Sequence, residues 1–208
     1  MIPTFSPASD KYPADLDATR WEQIEPHYRE LIARELHCKN CLHELIMDRS
    51  ELDAIVSEAS SNLYINMSCH TDDEKANKAY LDFVENVQPK LREVAFELDR
   101  KIAQCPHTKD LDPRRFEVYL RDIRLAVDLF RPENIPLETE LAKLDQEYSQ
   151  ICGAMTVQFR GEDRTLPQMA RFNEEPDRKT REEAWRGVAE RRVTEAGAVG
   201  TLLGGKIG

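Results

Sequence analysis

The sequence predicts an all-α fold, an antiparallel helical array with one small β-hairpin near residues 155–166. Apolar residues recur along most of the chain at the spacing of a single helix face. The eight glycines all lie at or after Gly153, whereas turn-rich β folds need glycine throughout. A chain of 208 residues can bury a core without disulfides or structural metals.

The same patterns divide the chain into four segments. Residues 1–15 are rich in proline and predict an extended N-terminal arm. Residues 16–152 form the predicted helical N-terminal domain, and residues 153–195 combine the hairpin with a further helix. Residues 196–208 hold five of the eight glycines and no capping signals, which predicts a disordered tail.

In the first half of the helical domain, the helix starts and breaks are set by proline and by capping residues. The first helix is expected near Asp17, and Pro26 predicts either a later start or a bend. A short, weak segment follows over residues 37–48. Ser50-Glu51-Leu52-Asp53 resembles a capping box, so a new helix is expected to begin there.

The next helices follow from clearer signals. Thr71-Asp72-Asp73-Glu74 is a better capping box, and Pro89 is expected to kink the long helix after it. Asp112 followed by Pro113 predicts a helix start, with Asp112 as the N-cap and the proline at the first helical position. Pro132 ends that helix and Pro136 opens the next.

After Gly153 the apolar period changes. Residues 156–160 alternate in polarity, turn at Gly161-Glu162 and return through residues 163–165, which predicts the hairpin. A charged helix is then expected from Pro176.

Charge and cysteine usage exclude several classes of partner and compartment. The formal net charge is −10, so binding to nucleic acid or to an anionic membrane is not expected. The N-terminus has no basic, apolar signal pattern, and no apolar run approaches the roughly 18 residues of a membrane span. Five cysteines, an odd number, favour reduced thiols and a cytoplasmic location.

The most suggestive cluster of chemical groups is a pair of cysteines flanked by histidines. Cys38 and Cys41, with His37 or His43, are a candidate structural zinc site. The alternative is a helix–helix turn in which the two cysteines are small apolar fillers. His43 also starts half of a zinc-peptidase helix, but the position of the second histidine is Met47, a poor zinc ligand.

Two acidic pairs have the composition of acid–base sites. Asp72 with Asp73, and Glu182 with Glu183, stand where charges at helix starts and on solvent-facing surfaces are common. They are therefore interpreted as surface charges.

Several stretches, in order, resemble one known family. They are Asp48-Arg49-Ser50-Glu51-Leu52; Tyr64 to Asp72; Leu129 to Leu137; Gly153 to Val157 with Thr165-Leu166-Pro167-Gln168; and Asp177 to Trp185. In combination they are similar to the N-terminal part of the oligoendopeptidase F family, related to thimet oligopeptidase, over about residues 16–195.

The resemblance implies a largely helical, cytoplasmic zinc metalloendopeptidase that hydrolyses short peptides. In that family a His-Glu-x-x-His helix and a downstream glutamate hold the zinc in the C-terminal half. The N-terminal helices form part of the wall of a deep cleft that excludes folded proteins.

This sequence contains no His-Glu-x-x-His, so no catalytic, cofactor-binding or metal-binding residue of the family is assigned to a position here. The interpretation is an N-terminal segment, through truncation or a frame shift, that is inactive by itself. With a catalytic half present, short peptides are the expected substrates. The alternative is a non-enzymatic helical interaction module whose exposed apolar faces bind a partner or a second copy.

Overall fold

A computed structural model describes residues 11–207, so most of the predicted N-terminal arm lies outside the described residues. The chain divides into two compact units. Unit 1 comprises the described residues up to Asn66 together with Lys78–Thr139. Unit 2 comprises Met67–Asn77 and the described residues from Glu140 onward. The elements are α1 (Trp21–Ala33), α2 (Lys39–Cys69), α3 (Glu74–Asn86), α4 (Gln88–Gln104), α5 (Pro113–Leu129), α6 (Asn134–Gly153), β1 (Thr156–Phe159), β2 (Glu162–Thr165), α7 (Leu166–Ala170), α8 (Arg178–Thr194) and α9 (Ala196–Ile207), with 3₁₀ turns at Pro106–Asp110 and Arg171–Glu174. The predicted all-α fold with one small hairpin is confirmed.

The core of unit 1 is built from the apolar faces that the sequence spacing predicted. Helix α4 packs against both α1 and α5. Burying these stripes supplies the main stabilisation, since each fully buried large apolar side chain contributes about 1.5–3 kcal/mol. The buried stripes are Trp21, Ile24, Tyr28 and Leu31 on α1; Val94, Leu98 and Ile102 on α4; and Phe116, Leu120 and Ile123 on α5.

In the first half of the chain, one of the two alternatives for the first helix is excluded and one predicted helix start is wrong. Helix α1 begins at Trp21, ahead of Pro26, so the helix does not start after the proline. Helix α2 runs unbroken from Lys39 to Cys69, and the Ser50–Asp53 segment lies inside it rather than capping a new helix. One helix therefore covers both the weak segment predicted over residues 37–48 and the separate helix predicted after it.

Two further boundaries differ in detail from the prediction. Instead of kinking one long helix, Pro89 lies in the first turn of α4, where its missing N–H has no intrahelical partner to lose. The cap of α3 is Asp73 rather than Thr71, because the Asp73 carboxylate accepts from the backbone N–H groups of Lys75 and Ala76. The predicted Asp112 cap of α5 is confirmed by its bond from the N–H of Arg114.

Unit 2 is organised around the hairpin. Strands β1 and β2 pair antiparallel, from Thr156 opposite Thr165 to Phe159 opposite Glu162. Arg160 and Gly161 form the turn, both with positive φ, the backbone that two-residue hairpin turns need. Helices α7 and α8 cover the buried side of the hairpin. The core of this unit contains Val157, Phe159, Met169, Phe172 and Ala184.

The predicted disordered tail is wrong for the residues described, because Ala196–Ile207 form helix α9. Glycine lowers intrinsic helix propensity, which was the basis of the prediction. Here the helix continues directly from α8, with the N–H of Val199 bonded to the carbonyl of Glu195 at 3.0 Å. Leu202 is buried, and such packing outweighs local propensity. No helix among residues 11–207 is both long and apolar enough to cross a membrane.

Gly153 is required by a close approach within unit 2. A Cβ built on it would lie 2.7 Å from Oγ1 and 3.2 Å from Cβ of Thr71. We expect Gly153→Ala to lower the free energy of unfolding by about 1–3 kcal/mol, the usual cost of overpacking. Urea unfolding followed by circular dichroism measures this. Most of the loss should disappear in a Thr71→Ala background; an equal loss in both backgrounds would contradict the steric account.

Candidate functional site

The two cysteines of the predicted metal cluster lie together at the start of α2. Their Sγ atoms are 2.7 Å apart, and the backbone N–H of Cys41 also donates to the sulfur of Cys38 at 3.3 Å. These bonds lower the pKa of the Cys38 thiol, and the bond to Cys38 raises the pKa of the Cys41 thiol. Both side chains are partly exposed.

The flanking histidines do not complete a metal site with these thiols. The His37 imidazole is exposed and lies 2.7 Å from the Glu35 carboxylate. The His43 ring contacts Phe116 edge-on, with centroids 5.6 Å apart. In the part of the chain that the structure describes, no three His, Cys, Asp or Glu side chains are grouped to hold a metal ion. The zinc hypothesis therefore gains no third ligand from the geometry.

The half-motif that begins at His43 has a structural explanation. The Met47 sulfur accepts from the guanidinium of Arg115 at 3.6 Å and packs against the core of unit 1. The position that would need a second imidazole is thus occupied by a packing residue.

The acidic pairs also have structural roles where the structure gives them a partner. Asp73 is the cap of α3. Glu182 pairs with Arg186 one turn along α8, at 3.1 Å and with both side chains exposed. Surface pairs of this kind contribute a few tenths of a kcal/mol, about 0.3–0.5 each.

Asp48, the first residue of the Asp48–Leu52 stretch, joins three parts of unit 1. Its carboxylate accepts from Lys11 and from Nη1 of Arg34, the latter at 2.5 Å, while its backbone carbonyl accepts from the Tyr12 hydroxyl at 3.0 Å. Burial opposes ionisation of Asp48, but the bonds from Lys11 and Arg34 outweigh it and lower the pKa of the carboxyl. The segment before α1, the end of α1 and helix α2 are therefore held by one charged group.

The lowered pKa of Asp48 predicts how its contribution depends on pH. A carboxyl with a depressed folded-state pKa stabilises the fold above its unfolded value, about 4, and loses that contribution as pH falls through the folded value. We expect Asp48→Asn to be less stable than the parent by about 1–3 kcal/mol at pH 7. Urea unfolding at pH 7 and pH 3 should show the difference shrinking in acid; a constant difference would exclude this ion pair as its source.

Arg49, the next residue, is the centre of a partly buried charge network that the sequence patterns did not reveal. Its Nη1 lies 2.6 Å from Asp99 on α4, and its Nε lies 3.2 Å from Asp53. The Tyr28 hydroxyl of α1 donates to Asp53 at 2.7 Å. Burial opposes the positive charge, yet the two carboxylates raise the pKa of Arg49 further. The network links α1, α2 and α4 through side chains that leave little of the arginine exposed.

Unit 1 also presents an apolar face to solvent. Val118, Leu125 and Leu129 lie on one side of α5 and are each more than half exposed. A run of large exposed apolar residues at helical spacing is unusual on a monomer surface and marks an interaction face.

Unit 2 has a second exposed apolar surface, around α8. Trp185 is 65% exposed and Val193 is 74% exposed. Trp185 borders a cavity of about 600 Å³ that Leu166, Pro167 and Val188 also line. Aromatic side chains are enriched at protein interfaces, so this surface is a candidate for binding a macromolecule.

The sequence itself matches one family. The family described as "Peptidase M3 N-terminal domain" matches residues 14–130, more than half of the chain. The chain belongs to this family. No curated protein sequence matches it.

Solved structures show that this M3 N-terminal domain shares its fold with peptidases. A 3.1 Å crystal structure assigned as an oligoendopeptidase F superposes with a TM-score of 0.81 at 20% identity, covering 88% of this chain and 33% of that one. PZ peptidase A, solved with an inhibitor, superposes with a TM-score of 0.81 at 18% identity, covering 93% of this chain and 34% of that one. A protein from Bacillus anthracis str. Ames, assigned as an oligoendopeptidase F, superposes with a TM-score of 0.81 at 15% identity, covering 95% of this chain and 36% of that one. The chain spans about a third of the length of these structures.

The predicted resemblance to the N-terminal part of oligoendopeptidase F is thus confirmed. The residues that carried the resemblance have local structural roles in this chain, both inside the matched range 14–130 and after it. Thr165 and Gln168 form a reciprocal capping box on α7, and Asp177 caps α8 through the N–H groups of Lys179 and Thr180. Asp48 and Arg49 carry the ion pairs of unit 1. Each of these residues therefore has a structural contact in the fold.

Proposed function

We propose that this M3 N-terminal domain is the non-catalytic helical part of a zinc endopeptidase that cleaves short peptides, where it supplies part of the substrate-cleft wall. The family match over residues 14–130 carries the proposal. The fold shared with oligoendopeptidase F structures and with PZ peptidase A supports it.

The residues of this chain do not fit the zinc of that reaction. The sequence has no His-Glu-x-x-His, and the described His, Cys, Asp and Glu side chains form no group of three suited to a metal. We therefore assign the hydrolytic chemistry to residues outside this sequence. The contribution proposed for this chain is shape and surface, through faces such as that formed by Val118, Leu125 and Leu129.

The test is an activity assay on the purified chain. Incubated with zinc and an internally quenched peptide, it is expected to give no cleavage above a no-protein blank. A parallel sample with a chelator and one of heat-unfolded chain serve as controls. Turnover that co-purifies with the chain, scales with its concentration and is abolished by the chelator would overturn the assignment.

A second candidate function, a helical interaction module, is favoured by the exposed surface around Trp185 and Val193. In this proposal the surface binds a second copy of the chain or another protein. Sedimentation velocity across a concentration series is expected to show self-association that Trp185→Ser with Val193→Ser weakens. A strict monomer at every concentration would count against self-association.

We also propose a cytoplasmic location. All five cysteines are free thiols in the structure, which accords with a reducing compartment. The net charge of −10 supports the absence of nucleic-acid and anionic-membrane partners. Fractionation of cells that express the tagged full-length gene product tests the location.

A further inference from the structure

Cys38-Lys39-Asn40-Cys41 has the arrangement of a thiol–disulfide exchange site. Helix α2 begins at Lys39, so Cys38 immediately precedes the helix and its carbonyl accepts the helical bond from Leu42 at 3.1 Å. The two sulfurs are 2.7 Å apart, so only a small approach separates them from a covalent bond of about 2.05 Å. Redox-active cysteine pairs commonly have this arrangement, in which two residues separate the cysteines at the start of a helix.

The two thiols are not equivalent. The Cys38 sulfur accepts the backbone N–H of Cys41, shares a hydrogen bond with the Cys41 sulfur, and lies at the positive end of α2. The backbone N–H and the helix end favour the thiolate, the nucleophilic form, at Cys38. Cys41 lies within the first turn of α2. Partial exposure leaves both sulfurs within reach of a small molecule.

We propose that Cys38 and Cys41 form a reversible disulfide by exchange with small-molecule disulfides of the glutathione type. The Cys38 thiolate attacks one sulfur of the disulfide, whose S–S bond breaks, and the released thiolate takes a proton from solvent. Cys41 then loses its proton and attacks the Cys38 sulfur, expelling the second small thiol. The small disulfide is reduced to two thiols and the cysteine pair is oxidised, so atoms and electrons balance.

The other cysteines provide matched controls. Cys69 is exposed near the end of α2 and lies outside any Cys-x-x-Cys spacing, whereas Cys105 is buried. Cys69 therefore reports the reactivity of an ordinary exposed thiol in the same chain.

Trypsin gives a direct readout because it cuts after Lys39, between the two cysteines. The chain is equilibrated at a series of reduced-to-oxidised glutathione ratios, the remaining thiols are alkylated, and the tryptic peptides are analysed without reduction. We expect peptides 35–39 and 40–49 to become disulfide-linked as the ratio falls and to separate again with a dithiol reductant. Thiol titration of the unfolded chain should fall from five groups to three.

Single variants test the assignment of roles. In Cys41→Ser the exchange should stop at the mixed disulfide on Cys38, and alkylation of Cys38 at pH 7 should be about tenfold faster than that of Cys69. Cys38→Ser should accumulate little mixed disulfide on Cys41. The Cys69→Ser variant should behave like the parent.

Three results would overturn the proposal. The first is the absence of the linked peptides at every glutathione ratio. The second is equal alkylation of Cys38 and Cys69. The third is retention of one equivalent of zinc that protects both thiols and is lost in either variant, since that would identify a metal site instead.

Discussion

Replacing Arg49 with methionine is expected to lower the free energy of unfolding of unit 1 by about 3–5 kcal/mol, the cost of breaking a buried ion pair from one side. Methionine keeps most of the side-chain volume, so the loss is electrostatic rather than steric. Asp99, with 14% of its side chain exposed, would lose the guanidinium 2.6 Å away and remain as a poorly solvated charge. Asp53 is less affected, because 44% of its side chain is exposed and Tyr28 still donates to it.

The measurement is best confined to unit 1. Trp21 is buried in its core and Trp185 lies exposed in unit 2, so a Trp185→Phe background makes tryptophan fluorescence report unit 1. The matched control is Glu97→Ala, on the same helix as Asp99, whose partner Arg29 lies 3.5 Å away on the surface. That control is expected to change stability by less than about 1 kcal/mol. If Arg49→Met costs no more than the control, the network does not stabilise the fold.

The apolar stripes were predictable because they follow from helix geometry alone. Trp21, Ile24 and Tyr28 recur with the helical period, and burial follows from that period together with their size. Caps such as Asp112 were equally predictable, since a short acceptor before proline satisfies a free N–H locally.

The continuity of α2 was not predictable from apolar periodicity, and Arg49 explains why. Leu42, Leu45 and Leu52 are fully buried on one face of α2, and position 49 falls on that face between them. A charged residue in a core-facing position interrupts the apolar pattern. The capping-box resemblance of the adjacent Ser50–Asp53 segment then predicted a new helix there. Its partner Asp99 comes from a segment 50 residues away, which no local pattern reveals.

The cysteine pair was partly predictable. The spacing of Cys38 and Cys41 indicated that the two sulfurs could meet, and they do. Whether a histidine would join them depended on side-chain directions. The turn before α2 directs His37 to Glu35, and the helix directs His43 to Phe116. Exposed apolar faces were expected, but the residues that form them were not predictable, because periodicity does not distinguish an apolar side chain that faces the core from one that faces solvent.

The second large effect is expected at Leu52, the last residue of the Asp48–Leu52 stretch. Its side chain is fully buried in the core of unit 1. Leu52→Ala should lower the free energy of unfolding by about 2–5 kcal/mol, because it removes buried methyl groups and leaves a cavity that the neighbouring helices fill only in part. Urea unfolding in the Trp185→Phe background measures this loss.

Ile65→Ala is the control for Leu52→Ala on the same helix. Ile65 is 47% exposed, so its truncation removes little buried surface while replacing a β-branched residue by a better helix former. Its expected effect is within about 0.5 kcal/mol. An equally small effect of both variants would mean that burial of Leu52 does not stabilise the domain. A large loss at Leu52 only would show that the Asp48–Leu52 stretch stabilises the domain by packing at Leu52, a contribution separate from that of the Arg49 ion pairs.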